Sequence, residues 1–183
     1  MGDYSFAGTG IAYVSPGHSS AFHKDDTDQY FLFFHTRFLG RGEQHEVRVH
    51  EIFFNDAGWP VVAPLRYVER FDDDNPGATP EELAAVSADD VPGTYQYVNH
   101  DKDISGTLKT SANIELESGG GISGAVTGSW IYTESTRAIT LILDSVSYQG
   151  VVSRQWNQSR DRFEATFTVL SADGTAVWGI KAD

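Results

Sequence analysis

The sequence predicts an all-β protein with two parts. A unit of three or four antiparallel strands, the size of one propeller blade, comes first, and a small closed or nearly closed antiparallel β-barrel follows. Three observations carry this. Glycine supplies 18 of 183 residues and aromatics 13%, a composition suited to many tight turns. Aromatic and β-branched runs recur at short spacing between Gly, Asn and Asp clusters. Helix signals gather at only one short place.

The elements follow in order. Ser20 to Lys24 is a weak strand, and Asp25-Asp26-Thr27-Asp28 turns the chain. Gln29 to Phe38 (QYFLFFHTRF) and His45 to Phe54 (HEVRVHEIFF) are strong strands, with Gly40-Arg41-Gly42 in the hairpin loop between them. Asn55-Asp56-Ala57-Gly58 is a further turn before Trp59-Pro60-Val61-Val62. These strands, in about fifty residues, match one blade. Later strands are expected near Gly93–Asn99, Ile104–Thr107, Ala112–Glu117, Gly121–Gly124, Gly128–Thr133, Ala138–Leu143, Val146–Gln155, Arg162–Leu170 and Thr175–Lys181. Gly119-Gly120-Gly121 and Ala172-Asp173-Gly174 make hairpin turns. This spacing over about ninety residues suggests the barrel.

Between the two parts the composition shifts. The net charge is -13, from 13 basic and 26 acidic residues. Residues 68–92 hold 1 basic and 8 acidic residues, so they carry -7 of it. Acidic residues interleaved with Pro and Gly bury little, so this stretch reads as a solvated linker. Calcium binding and halophilic adaptation are the functional alternatives. Within it, Thr79-Pro80-Glu81-Glu82 predicts a short helix opened by a capping box. The domains are thus residues 1–67, an acidic linker over 68–92, and 93–183.

Several function classes drop out. The negative charge repels phosphate and argues against nucleic acid as a partner. No apolar run approaches the roughly 18 residues of a membrane span. With no cysteine, a disulfide scaffold, a thiolate zinc site and a cysteine nucleophile are excluded. Met1-Gly2-Asp3-Tyr4 lacks a basic region followed by an apolar core, so no signal peptide is expected in this chain.

Four stretches in order carry a resemblance: Gly17-His18-Ser19-Ser20-Ala21, FLFFHTRF (Phe31–Phe38), HEVRVHEIFF, and GWPVVAPLRY (Gly58–Tyr67). Together they resemble the end of the catalytic propeller of endo-α-1,5-L-arabinanases of glycoside hydrolase family 43. The stretches Gly93–Ser105, Ile122–Trp130, Tyr148–Trp156 and Phe167–Gly179 resemble the C-terminal β-barrel module of such enzymes. The resemblance implies the last blade of a five-bladed propeller, an N-terminal propeller segment missing from this chain, and arabinan as the polysaccharide partner. It implies inverting hydrolysis, in which one carboxylate activates water and a carboxylic acid protonates the leaving oxygen. It also implies an extracellular location. No Asp or Glu here matches a catalytic position of the family, so no catalytic residue is expected in this chain. The alternative is a stand-alone, non-catalytic module that binds carbohydrate or is purely structural.

Five of the six histidines precede Phe54, but no His-X-His or His-Glu-X-X-His pattern supports zinc. His35, Arg37, Arg48 and His50 read as a polar hydrogen-bonded layer, with a substrate role as the alternative. The resemblance implies that His18 ligates a metal, usually calcium, on the propeller axis, where the missing blades would complete the cage; in this chain alone the site is doubtful. Trp59 is expected to pack at the blade edge or domain interface. Trp130, Trp156 and Trp178 are expected in the barrel core, the alternative being a sugar platform. Arg154 and Gln155 beside Trp156 are then the first candidates for sugar contact, with His35 and Arg37 as candidates on the blade.

Overall fold

The computed structural model describes residues 2–6, 12–71, 74, 77–102 and 106–182. Its strands are β1 (Tyr4–Ser5), β2 (Ala12–Lys24), β3 (Gln29–Phe38), β4 (Glu46–Phe54) and β5 (Pro60–Val62), then helix α1 (Pro80–Ala84). After it come β6 (Gly93–Asn99), β7 (Lys109–Thr110), β8 (Ala112–Leu116), β9 (Gly121–Gly124), β10 (Gly128–Thr133), β11 (Ala138–Leu143), β12 (Val146–Asn157), β13 (Arg162–Ser171) and β14 (Ala176–Lys181).

The strands form two bodies. A six-stranded sheet has the order β5-β4-β3-β2-β1-β7, and eight strands close a barrel in the order β10-β11-β12-β13-β14-β6-β8-β9. The strand expected at Ile104–Thr107 begins outside the described residues, as does most of the aspartate run at 72–74. The strand expected at Ser20 starts eight residues earlier, at Ala12. Two bulges, between Val14 and Gly17 and between Gly17 and Ser20, interrupt its ladder and hid its period. Strands β1 and β7 have no counterpart in the sequence reading. Each has two residues, and β7 reaches out of the barrel segment to pair in parallel with β1.

The barrel interior is filled. Tyr95, Leu141, Val169 and Val177 are fully buried there with Ile114, Leu116, Ile139 and Phe167. Two glycines make room. A Cβ on Gly179 would sit 2.1 Å from the Phe167 ring, and one on Gly150 would sit 1.9 Å from the Thr168 carbonyl oxygen.

The acidic stretch is not simply solvated. Thr79 caps α1, with its side chain accepting from the Glu82 N–H and the Glu82 carboxylate accepting from the Thr79 N–H, the reciprocal box expected. Val86 and Val91 then plug the barrel core. Tyr132 and Tyr95 fix them by donating hydroxyl hydrogen bonds to the Val86 and Val91 carbonyls, at 2.8 and 2.7 Å.

The sheet docks on the outer wall made by β12, β13, β14 and β6. Side chains alternate along a strand, so Val152 and Phe167 point into the barrel while Val151, Ser153, Gln155, Thr166 and Thr168 point to the sheet. Tyr4, Phe6, Tyr13, Phe34 and Phe38 pack there with Val98, Trp178 and Ile180 of the barrel. Phe53, Val61 and Ala63 pack on Val151. Burying each such side chain contributes about 1.5–3 kcal/mol, so the sheet's main apolar cluster is completed by the barrel.

Candidate functional site

The bulged stretch of β2 and the middle of β3 hold one candidate site. Bulges re-aim side chains, and His18 sits there in the left-handed region at φ 47°. Its Nδ1 lies 3.3 Å from His35 Nε2. The His35 ring is 4.8 Å from the rings of both His18 and His45. Loss of hydration, and then the neighbouring imidazoles, hold the His35 pKa below the usual histidine value. Arg37, two residues along the same face, donates to both Glu43 oxygens at 2.6 Å and to Ser15 Oγ at 2.9 Å.

Calcium takes six to eight oxygen ligands, and this histidine group offers nitrogen only. Among the described residues no group of three His, Asp or Glu side chains could hold a metal. The donors present here do not fit a calcium cage by themselves.

The expected polar layer is split. His50 is fully buried on the opposite face from His35, ringed by Tyr13, Phe34 and Trp178. Its Nδ1 meets the Ala63 carbonyl at 2.7 Å, and burial lowers its pKa to about 4. Arg48 lies over the Phe38 ring at 4.5 Å and pairs with Glu46 at 2.9 Å. Adjacent strand residues point to opposite faces, and His50 packs on Phe34, the neighbour of His35, so His35 and His50 cannot share a layer.

The structure does not bring Arg154 and Trp156 to the histidines. Arg154 is exposed on β12 and borders a cleft with Arg162 and Lys181. Trp156 is half-buried, edge-on to Phe163 at 5.1 Å, and faces a small cavity of about 40 Å³ beside Tyr4, Tyr13 and Arg48. Gln155 is structural: buried at the seam, its Oε1 accepts from the Leu65 N–H at 3.0 Å and its Nε2 donates to Ser153.

The tryptophans need correction. Trp178 is buried but faces the sheet, outside the barrel interior, because its parity on β14 places it opposite Val177. Trp130 is half-buried against the barrel core and donates its indole N–H to the Glu117 carbonyl at 2.9 Å. Trp59 lies at the edge of the sheet, beside a groove shared with the barrel, but is 64% exposed rather than packed there.

The buried carboxylates were also missed, and neither is available for acid–base work. Glu51 accepts from Gln29 at 2.9 Å and from Arg70 at 2.8 and 3.1 Å. Glu164 accepts from Asn157 at 2.7 Å, Arg160 at 3.0 Å and Arg162 at 2.7 Å. A general acid or base needs a free oxygen facing a substrate, and these oxygens are engaged by cations and amides of the fold. A lone Glu in a strand gave no signal of this.

Comparison with known proteins agrees with this picture. Residues 76–179 match the GH43_C family, a C-terminal lipocalin-like domain. The extracellular endo-α-(1→5)-L-arabinanase 2 of Bacillus subtilis is 46% identical over 99% of this chain, which spans 37% of that protein's length. The corresponding enzyme of Thermotoga petrophila is 40% identical over 94% of the chain and 35% of its own length. Among solved structures, the glycoside hydrolase family 43 YxiA protein of Bacillus licheniformis superposes with TM-score 0.89 at 45% identity, covering 100% of this chain and 38% of that one. The endo-1,5-α-L-arabinanase of Thermotoga petrophila superposes with TM-score 0.84 at 38% identity, covering 100% of this chain and 39% of that one.

Proposed function

Because this chain belongs to the family of C-terminal lipocalin-like domains of glycoside hydrolase family 43, we propose that it serves as the non-catalytic C-terminal portion of an arabinan-degrading enzyme. The observation that carries this is the likeness, over almost the whole chain, to arabinanases of which it spans little more than a third. Its own contribution is architectural. The sheet acts as the last blade of a five-bladed propeller. The barrel braces that blade from outside through Trp178, Ile180 and Val98, and the Gln155–Leu65 and Asn55–Gln149 hydrogen bonds fix its angle.

Hydrolysis of α-1,5-linked arabinofuranose by inversion needs a carboxylic acid and a carboxylate on either side of the bond. Those groups belong to the remainder of the longer protein, since the buried carboxylates here are committed to ion pairs. His18 contributes one imidazole to a calcium shell that the same remainder completes. The relatives are named extracellular, and the same location is assigned to this protein.

The test is turnover of linear arabinan by the purified 183-residue chain, read as reducing ends. The expected result is no hydrolysis above a heat-treated control. Hydrolysis that a single change at Glu51 or Glu164 abolishes, with the fold retained by circular dichroism, would overturn the reading.

A further inference from the structure

At the outer edge of the sheet, the turn from Asn55 to Trp59 leans toward the barrel. Asn55 is only 7% exposed. Its Oδ1 accepts from the Ala57 N–H at 3.1 Å and from the Trp59 N–H at 2.9 Å. Its backbone N–H donates to the Trp59 carbonyl at 3.0 Å, and its Nδ2 reaches the Gln149 carbonyl of the barrel at 3.4 Å. Gly58, at φ 78°, lets the turn close. One buried amide therefore fixes the turn and anchors it across the seam.

The residue so fixed is not used by the core. Trp59 is 64% exposed, and among the described residues its indole meets no other ring and makes no hydrogen bond. A large aromatic carried on a fixed backbone yet left in water suits a partner, because the turn that presents it has little freedom left to lose on binding.

Trp59 forms one wall of a groove of about 640 Å³, within the roughly 300–1,000 Å³ usual for ligand sites. The opposite wall is barrel: Ser147, Gln149, Leu170 and Asp173. Ser147 and Gln149 are exposed amide and hydroxyl groups. The Asp173 carboxylate is neutralised by Lys102 at 3.1 Å and held by Ser171 and the Thr175 N–H. The groove thus offers one flat apolar face, several hydrogen-bonding groups and little net charge.

That combination selects a neutral, hydroxyl-rich ligand with an apolar C–H face, which describes a sugar ring. A uronate-bearing chain is disfavoured by the net charge of -13. An apolar peptide segment would strand the polar wall without partners. Both walls belong to this chain.

We propose that this groove binds a segment of neutral arabinan, with the Trp59 indole stacked on an arabinofuranosyl ring and Ser147, Gln149 and Asp173 accepting or donating to its hydroxyls. The inference rests on the arabinan reading above and adds a binding site to it. Polymer held here stays attached to the enzyme while its bonds are cut elsewhere.

The test is affinity electrophoresis of the full 183-residue chain in gels containing linear arabinan, galactan or no polymer, with Trp59→Ala and Trp59→Phe beside the unmodified protein. Arabinan should retard the unmodified chain. Trp59→Ala should weaken the interaction by about tenfold or more, the loss of one aromatic anchor. Trp59→Phe should retain part of it. The thermal melts of both variants should overlay the unmodified one, since the side chain is exposed. Arabinan retardation unchanged in Trp59→Ala overturns the site while leaving the arabinan reading intact. Retardation by galactan alone, lost in Trp59→Ala, overturns the assignment to arabinan. No retardation by either polymer overturns the inference outright. A concentration-dependent dimer that Trp59→Ala abolishes does the same in favour of a second copy of this chain.

Discussion

Arg70→Ala should destabilise the protein by about 3–5 kcal/mol, the cost of leaving one member of a buried ion pair alone. The Arg70 and Glu51 side chains are 5% and 6% exposed, and two N–H···O contacts at 2.8 and 3.1 Å join them. Removal of the guanidinium leaves Glu51, itself 6% exposed, with the Gln29 amide as its remaining hydrogen-bond donor among the described residues. It also removes the 3.3 Å hydrogen bond from Arg70 to the Arg154 carbonyl, which ties the residue to the barrel. A surface pair would cost less than about 1 kcal/mol by comparison. Urea unfolding at pH 7, followed by tryptophan fluorescence, measures the loss. The double variant Arg70→Met, Glu51→Gln should be more stable than Arg70→Ala, since neither charge is then buried unpaired. A loss below about 1 kcal/mol in Arg70→Ala would refute the reasoning.

Two further outcomes follow from the packing. Burial lowers the pKa of His50 to about 4 and of His100 to about 3, and among the described residues neither His100 nitrogen has a hydrogen-bond partner. Between pH 6.5 and 4 the unfolded chain therefore binds more protons than the folded one, so stability must fall as the pH drops, by about 3 kcal/mol for His50 alone. Urea midpoints across this range should show the loss, and His50→Gln combined with His100→Phe should flatten the slope; an unchanged slope would count against the assignment. Gly179→Ala places a methyl group 2.1 Å from the Phe167 ring, which Tyr95 hems in at 5.3 Å between centroids. Overpacking of this kind costs about 1–3 kcal/mol, and a thermal melt within error of the parent would show that the ring has room to move.

The sequence by itself determined the local elements and the family. QYFLFFHTRF and HEVRVHEIFF carry their own strand signal, and Gly40-Arg41-Gly42 carries the turn, because these depend on neighbours a few residues away. Thr79 and Glu82 close their capping box within one turn of chain. Which faces are covered was decided only in three dimensions. Strand alternation separates Val151 from Val152, but both are buried because a second layer, the sheet, lies on the barrel's outer wall. The same apposition covers Trp178 on the barrel's outer wall and buries Glu51 beside Arg70. It also brings Leu65 to Gln155 across 90 residues of sequence. A short β7 could join β1 only after the barrel had placed Lys109 beside Asp3, whose carbonyl accepts its N–H at 3.0 Å. Local preference fixes what a strand is; the partner on its second face, supplied from far along the chain, fixes what that strand's side chains do.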